Sequence, residues 1–151
     1  MCTLLAAADA PSHEHIIKYR QALMQAAGAY MTAISLIAES QLMPLERLNE
    51  HARQLQHLSM LFESAFQKKV VSGRTDARPE IWVEWDEFVE LAKEMGEASN
   101  RLTLLGAEGD LWAITGQVKA LARVCGKCHQ EFRKPRAQSY KYDGGTDLNE
   151  N

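Results

Sequence analysis

The sequence predicts an all-α protein, an antiparallel up-down-up-down four-helix bundle, and three observations carry that prediction. Apolar residues recur every three or four positions through most of the 151-residue chain. No stretch alternates apolar and polar residues over the length of a strand, and no Asn-Gly turn joins two β-branched runs. The connections between the periodic segments are short, which places successive helices side by side and antiparallel.

The first helix is expected from Ser12 to Glu39, with Ser12 as N-cap and Ile16, Leu23, Ala27, Met31, Ile34 and Ala38 on its inner face. Pro44 opens the second, since a proline costs nothing in the first turn. Its apolar stripe is Leu45, Leu48, Ala52, Leu55, Leu58, Phe62 and Phe66. The segment VVSGRTDAR is rich in turn residues and reads as the longest internal loop. Pro79 starts the third helix, which turns Ile81, Trp85, Phe88, Ala92 and Met95 inward. Residues 105–109 read as a turn, and Asp110 caps a fourth helix carrying Leu111, Ile114, Val118, Leu121 and Cys125. Pro135 ends it. Trp82, Trp85, Phe88 and Trp112 are read as core side chains.

Three segments follow from this division: residues 1–10 as the remnant of an export signal, 11–135 as the bundle, and 136–151 as a disordered polar tail. The start, MCTLLAAADA, has the small-residue pattern of a signal-cleavage region, but lacks the basic and long apolar parts. An exported, periplasmic protein is expected, with a mature start near Asp9 or Pro11 that leaves Cys2 behind. No run of ~18 apolar residues is present, so no membrane span is expected. A net charge of −3 is too small to argue for nucleic acid as a partner. Lys127, Arg133, Lys134 and Arg136 cluster enough to steer an acidic redox partner protein, although such a cluster is more often a solvated helix end. No catalytic constellation stands out, and Glu84, Asp86 and Glu87 read as solvated helix surface, so the chain is not expected to be an enzyme.

The chemistry concentrates in VCGKCHQEFR, residues 124–133. A structural zinc site wants four ligands in two pairs. Here one cysteine pair stands alone with His129, and His51 and His57, six apart, share no helix face. A thioredoxin-like dithiol needs the CxxC at a helix N-terminus, where the dipole lowers the thiol pKa. This CxxC lies near a helix C-terminus, where the sign is reversed. Covalent haem is the third reading. Two thiols three residues apart reach the two vinyl groups on one porphyrin edge, and the adjacent histidine offers its ring nitrogen to iron. Leu121, Cys125, His129 and Arg133 fall on one helical row, so the apolar stripe leads into the motif and a flat apolar cofactor can sit in the bundle. Haem c, with its iron, is the expected cofactor.

With CGKCH near the C-terminus, IKYRQALM followed by Met24 on the first helix, ARPEIW opening the third, and HQEFR, the chain resembles the cytochrome c prime family from about His15 to about Lys134. The resemblance implies thioethers at Cys125 and Cys128, and His129 as the proximal iron ligand. It implies Arg20 near a haem propionate, Arg133 near the proximal histidine face, and Met24 on the distal side of the iron. Arg20, Met24 and Gly28 lie on one row of the first helix, which suits a propionate, an iron and the close approach of a plane. The plainer alternative makes Met24 and Met31 core fillers and Gly28 a helix contact. Two functions stay open. One is a one-electron carrier with His/Met-ligated iron; the other is a five-coordinate haem protein that binds NO or CO. The resemblance also implies a homodimer through the first two helices, whose outer faces carry Tyr30, Ile37 and Met60 as candidate apolar contacts.

Overall fold

The computed structural model describes residues 11–40 and 43–141; the expected signal remnant, residues 1–10, lies outside them. Among the described residues five α-helices are present: α1 (His13–Ser40), α2 (Glu46–Phe66), α3 (Glu80–Val83), α4 (Trp85–Glu108) and α5 (Leu111–Phe132). Helices α1, α2, α4 and α5 form the four-helix bundle, packed in the order α1–α2–α4–α5 and closed by a sparse α1–α5 contact. No described helix is long and apolar enough to cross a membrane.

The caps act as the sequence expects. The Ser12 hydroxyl accepts from the His15 N–H at 3.3 Å. One Asp110 carboxylate oxygen accepts from the Trp112 and Ala113 N–H groups at 2.9 and 3.1 Å, satisfying two orphan donors at the start of α5. Residues 105–108, expected as a turn, continue α4. Its end comes at Gly109, whose φ of +74° is the left-handed conformation that glycine adopts most cheaply.

The expected third helix is broken. Glu84 adopts φ −112° and ψ 47°, which ends α3 after one turn and starts α4 at Trp85. In the short α3 the Trp82 indole N–H donates to the Phe66 carbonyl at 2.7 Å.

The core runs through Ile34, Leu48, Leu55, Leu91, Leu102, Ile114 and Leu121, all fully buried. Two apolar expectations fail. Trp112, read as core, is 86% exposed at the start of α5. Ile37, read as an outward dimer contact, is buried, and Tyr30 is half-buried with its ring 5.9 Å from that of His51. Only Met60 of that trio stands in solvent.

The tail also departs from expectation. Residues 136–141, expected to be disordered, form a 3-10 turn (Arg136–Gln138) and lie against the 74–77 segment. Their partner, Asp76, is more than 60 residues distant in sequence, so local composition gave no sign of it. Residues 142–151 fall outside the description.

Candidate functional site

Packing is uneven along α5. Its apolar stripe is fully covered at Ile114 and Leu121, but Val124, Cys125 and Cys128 are only half-buried. On α1 the same holds for Met24 and Ala27, between buried Leu23 and buried Ile34. Two helices that leave matching apolar faces half-covered enclose space between them.

That space is a cleft of about 360 Å³. The α1 wall supplies Ile17, Arg20, Gln21, Met24, Gln25 and Gly28. The α5 side supplies Cys128, His129, Phe132 and Arg133, and Phe66 and Phe88 add aromatic surface. The Phe88 ring centroid lies 5.0 Å from that of Phe66 and, edge-on, 5.5 Å from that of Phe132, so the three rings pack as one aromatic surface. A larger depression of about 460 Å³ lies on the outer α2–α4 seam, but its lining holds neither cysteine nor histidine, and chemistry does not gather there.

Cys128, His129, Met24, Gly28, Arg20 and Arg133, singled out in the sequence, thus line one cleft, while Cys125 packs against the core beside it. A Cβ built on Gly28 would meet nothing within 4 Å, so the residue keeps the α1 wall open rather than tightening a helix contact.

The electrostatics separate the readings of CGKCH. Burial pushes the Cys128 thiol up to about 11, and the Cys125 thiol adds to the shift; burial likewise raises Cys125. A redox-active CxxC needs a depressed pKa, and these move the other way. Among the described residues no three His, Cys, Asp or Glu side chains come together as a metal site. Desolvation, then the Arg133 guanidinium, holds the His129 imidazole below its usual value. That favours the neutral ring, the form that binds a metal.

Arg20 is 3% exposed. Its Nε donates to the Ala65 carbonyl at 2.8 Å, Nη1 to Val70 at 3.3 Å, and Nη2 to Lys68. The guanidinium also lies 4.6 Å from the Phe66 ring centroid and 5.3 Å from that of Trp82. It therefore caps the C-terminus of α2 and the chain that follows, a placement the row argument on α1 alone did not contain. Burial lowers its pKa to about 10, so it is still charged at neutral pH. A guanidinium has five N–H donors, and these carbonyls take three of them.

The basic cluster is largely engaged. Lys127 pairs with Glu87 at 3.5 Å, Arg133 with Asp76 at 3.8 Å, and the Lys134 ammonium donates to the Thr75 carbonyl at 3.1 Å. Gln21, Gln25, Phe66, Asp76, Tyr140 and Lys141 also line the cleft and were not anticipated. Gln21 and Gln25 each follow a singled-out residue on α1, so their helical position was a usable signal. Tyr140 gave none.

A flat apolar group with acidic edges fits these residues: aromatic and sulfur-bearing surface within, a buried cation with donors to spare, and an imidazole beside two thiols. The known proteins agree. The cytochrome c′ family model matches residues 15–133. Cytochrome c′ of Rhodospirillum rubrum is 26% identical over 132 residues, spanning 87% of this chain and 88% of its own. Cytochrome c-556 of Agrobacterium tumefaciens is 25% identical, spanning 78% of this chain and 95% of its own. Among solved structures, a ferrous variant of cytochrome c prime from Alcaligenes xylosoxidans with bound NO superposes with a TM-score of 0.74 at 22% identity, covering 85% of this chain and all of that one. The half-covered cleft with its CGKCH wall and the match across the bundle lead to one conclusion: the chain belongs to the cytochrome c′ family, and its cofactor is haem c.

Proposed function

We propose that the protein is a one-electron carrier in which His129 and Met24 would both ligate the haem iron. The observation that carries this reading is that Met24 on α1 and His129 on α5 line the same cleft. The haem supplies the one-electron ferric–ferrous change. A thioether ligand raises the reduction potential, and six-coordinate iron needs little rearrangement on electron transfer. Cys125 and Cys128 would hold the haem through thioethers, Arg20 would offer N–H donors to a propionate, and Arg133 would lie beside His129. Electrons pass to and from a redox partner protein. The Met24→Ala variant described in the Discussion tests the ligation.

A second reading has its own support. The surface shared by Met24, Phe66 and Phe88 is apolar and suits a small gas, and Alcaligenes xylosoxidans relatives of the same fold are described with NO or CO bound. Should Met24 stay off the iron, the protein binds such gases.

Attachment through both cysteines also points to a periplasmic location, because haem c is assembled outside the cytoplasmic membrane, and the chain starts with a signal-like segment. One measurement checks both. After acid–acetone extraction, the mass of the native protein is expected to be that of a chain starting near Asp9 or Pro11 plus one haem. Free haem in the extract refutes the attachment, and an intact Met1–Cys2 start refutes the export.

A further inference from the structure

Residues beyond α5 build a part of the cleft that the family match, which ends at 133, does not include. The Lys134 N–H donates to the Asp76 carbonyl at 2.8 Å. After the 3-10 turn, the Ser139 hydroxyl donates to one Asp76 carboxylate oxygen at 2.8 Å, and the Tyr140 N–H donates to the other at 3.1 Å. One carboxylate thus grips two successive residues with charge-assisted bonds. The Tyr140 ring lies 5.2 Å from the Arg74 guanidinium, and its hydroxyl accepts from the Gln21 side-chain amide on α1 at 3.0 Å. Tyr140 and Lys141 line the cleft beside Gln21. The chain therefore leaves α5, crosses the 74–77 segment and reaches α1, where Tyr140 and Lys141 join the lining of the cleft.

We infer that residues 134–141 form a fixed rim of the haem cleft, and that Tyr140 controls how readily water and small ligands reach the iron. Tyr140 is held at its backbone by Asp76, at its ring by Arg74 and at its hydroxyl by Gln21, three restraints on one half-buried residue. An aromatic ring tied down in the wall of a cleft excludes solvent and narrows the space inside, and the shell around a metal sets access in this way. The inference rests on the cleft being the haem site. It does not depend on what Met24 ligates.

The test uses holoprotein carrying Met24→Ala as the parent, so that the sixth position is open under either reading of Met24. Flash photolysis then gives the rate of CO association with the ferrous protein. Adding Tyr140→Ala is expected to raise that rate severalfold. Asp76→Asn, which leaves the ring but weakens its anchor, raises it less. Tyr140→Phe keeps the ring and the Arg74 contact, and is expected to stay near the parent. A strap that only stabilised the fold would lower the thermal midpoint without moving the rate. An unchanged rate in Tyr140→Ala with helicity intact overturns the inference, and that variant decides alone if Asp76→Asn fails to fold. Failure of the His/Met reading shows elsewhere, as identical spectra of the Met24→Ala parent and the unsubstituted protein.

Discussion

Met24→Ala is expected to turn the ferrous haem high-spin, lower the reduction potential and speed CO binding by on the order of tenfold or more. A gas that must displace a bound ligand sees only the fraction of molecules whose site is open, and its apparent affinity falls by that fraction. The potential falls because the thioether favours ferrous iron. Stability should drop by about 2 kcal/mol, the low end for truncating a methionine, since Met24 is only half-buried. Met31→Ala is the control: Met31 lies seven residues on, is half-buried, and is not among the residues lining the cleft. Its spectrum and CO kinetics should match those of the unsubstituted protein. If Met24→Ala matches them too, the native iron is five-coordinate and the gas-binding reading stands.

Arg20→Ala should produce the largest loss of stability of any single change in the cleft, about 3–5 kcal/mol. Each hydrogen bond to a charged group contributes about 1.5–3 kcal/mol, and three would be lost together, less than additively because they share one side chain. The carbonyls of Ala65, Lys68 and Val70 would lose their donor, and the Phe66 and Trp82 rings their cation. For a chain of this size the thermal midpoint should fall by roughly 10 °C. Arg20→Lys should recover only part of this, because an ammonium cannot reproduce the planar fork. A fall of under about 1 kcal/mol in urea titrations would mean that water replaces the guanidinium at those carbonyls, and that Arg20 does not hold the end of α2.

What could be read from the sequence was whatever is decided within a few residues. Ser12 and Asp110 cap helices through their nearest backbone N–H groups, and the α2 stripe of Leu48, Ala52, Leu55, Phe62 and Phe66 buries as its spacing requires. The cleft residues on α1 and α5 were legible for the same reason, each set following a helical row around a motif. Long-range partners were not legible. Arg20 finds its carbonyls 45 to 50 residues away, and Asp76 orders a tail 63 and 64 residues away. The break at Glu84 has no glycine or proline to announce it, since proline stands five residues earlier at Pro79. Trp112 illustrates the limit of periodicity: it follows the capping Asp110 by two residues and lies exposed in the first turn of α5 although its position continues the helical pattern.

That exposed indole has an optical consequence. Trp82 and Trp85 are half-buried near the cleft, with the Trp85 ring stacked 5.7 Å from that of Phe88. Trp112 stands at the other end of α5, roughly 26 Å from His129 along the axis by the 1.5 Å rise of each residue. A porphyrin drains the excited state of a nearby indole far faster than that of a distant one. The light emitted by the folded holoprotein is therefore expected to come chiefly from Trp112 and to carry the red-shifted colour of a water-bathed ring. Brightening at shorter wavelength belongs to Trp82 and Trp85, and marks their separation from the prosthetic group while they are still shielded from water. One chain thus holds two reporters, the first for the remote end of the bundle and the second for the pocket.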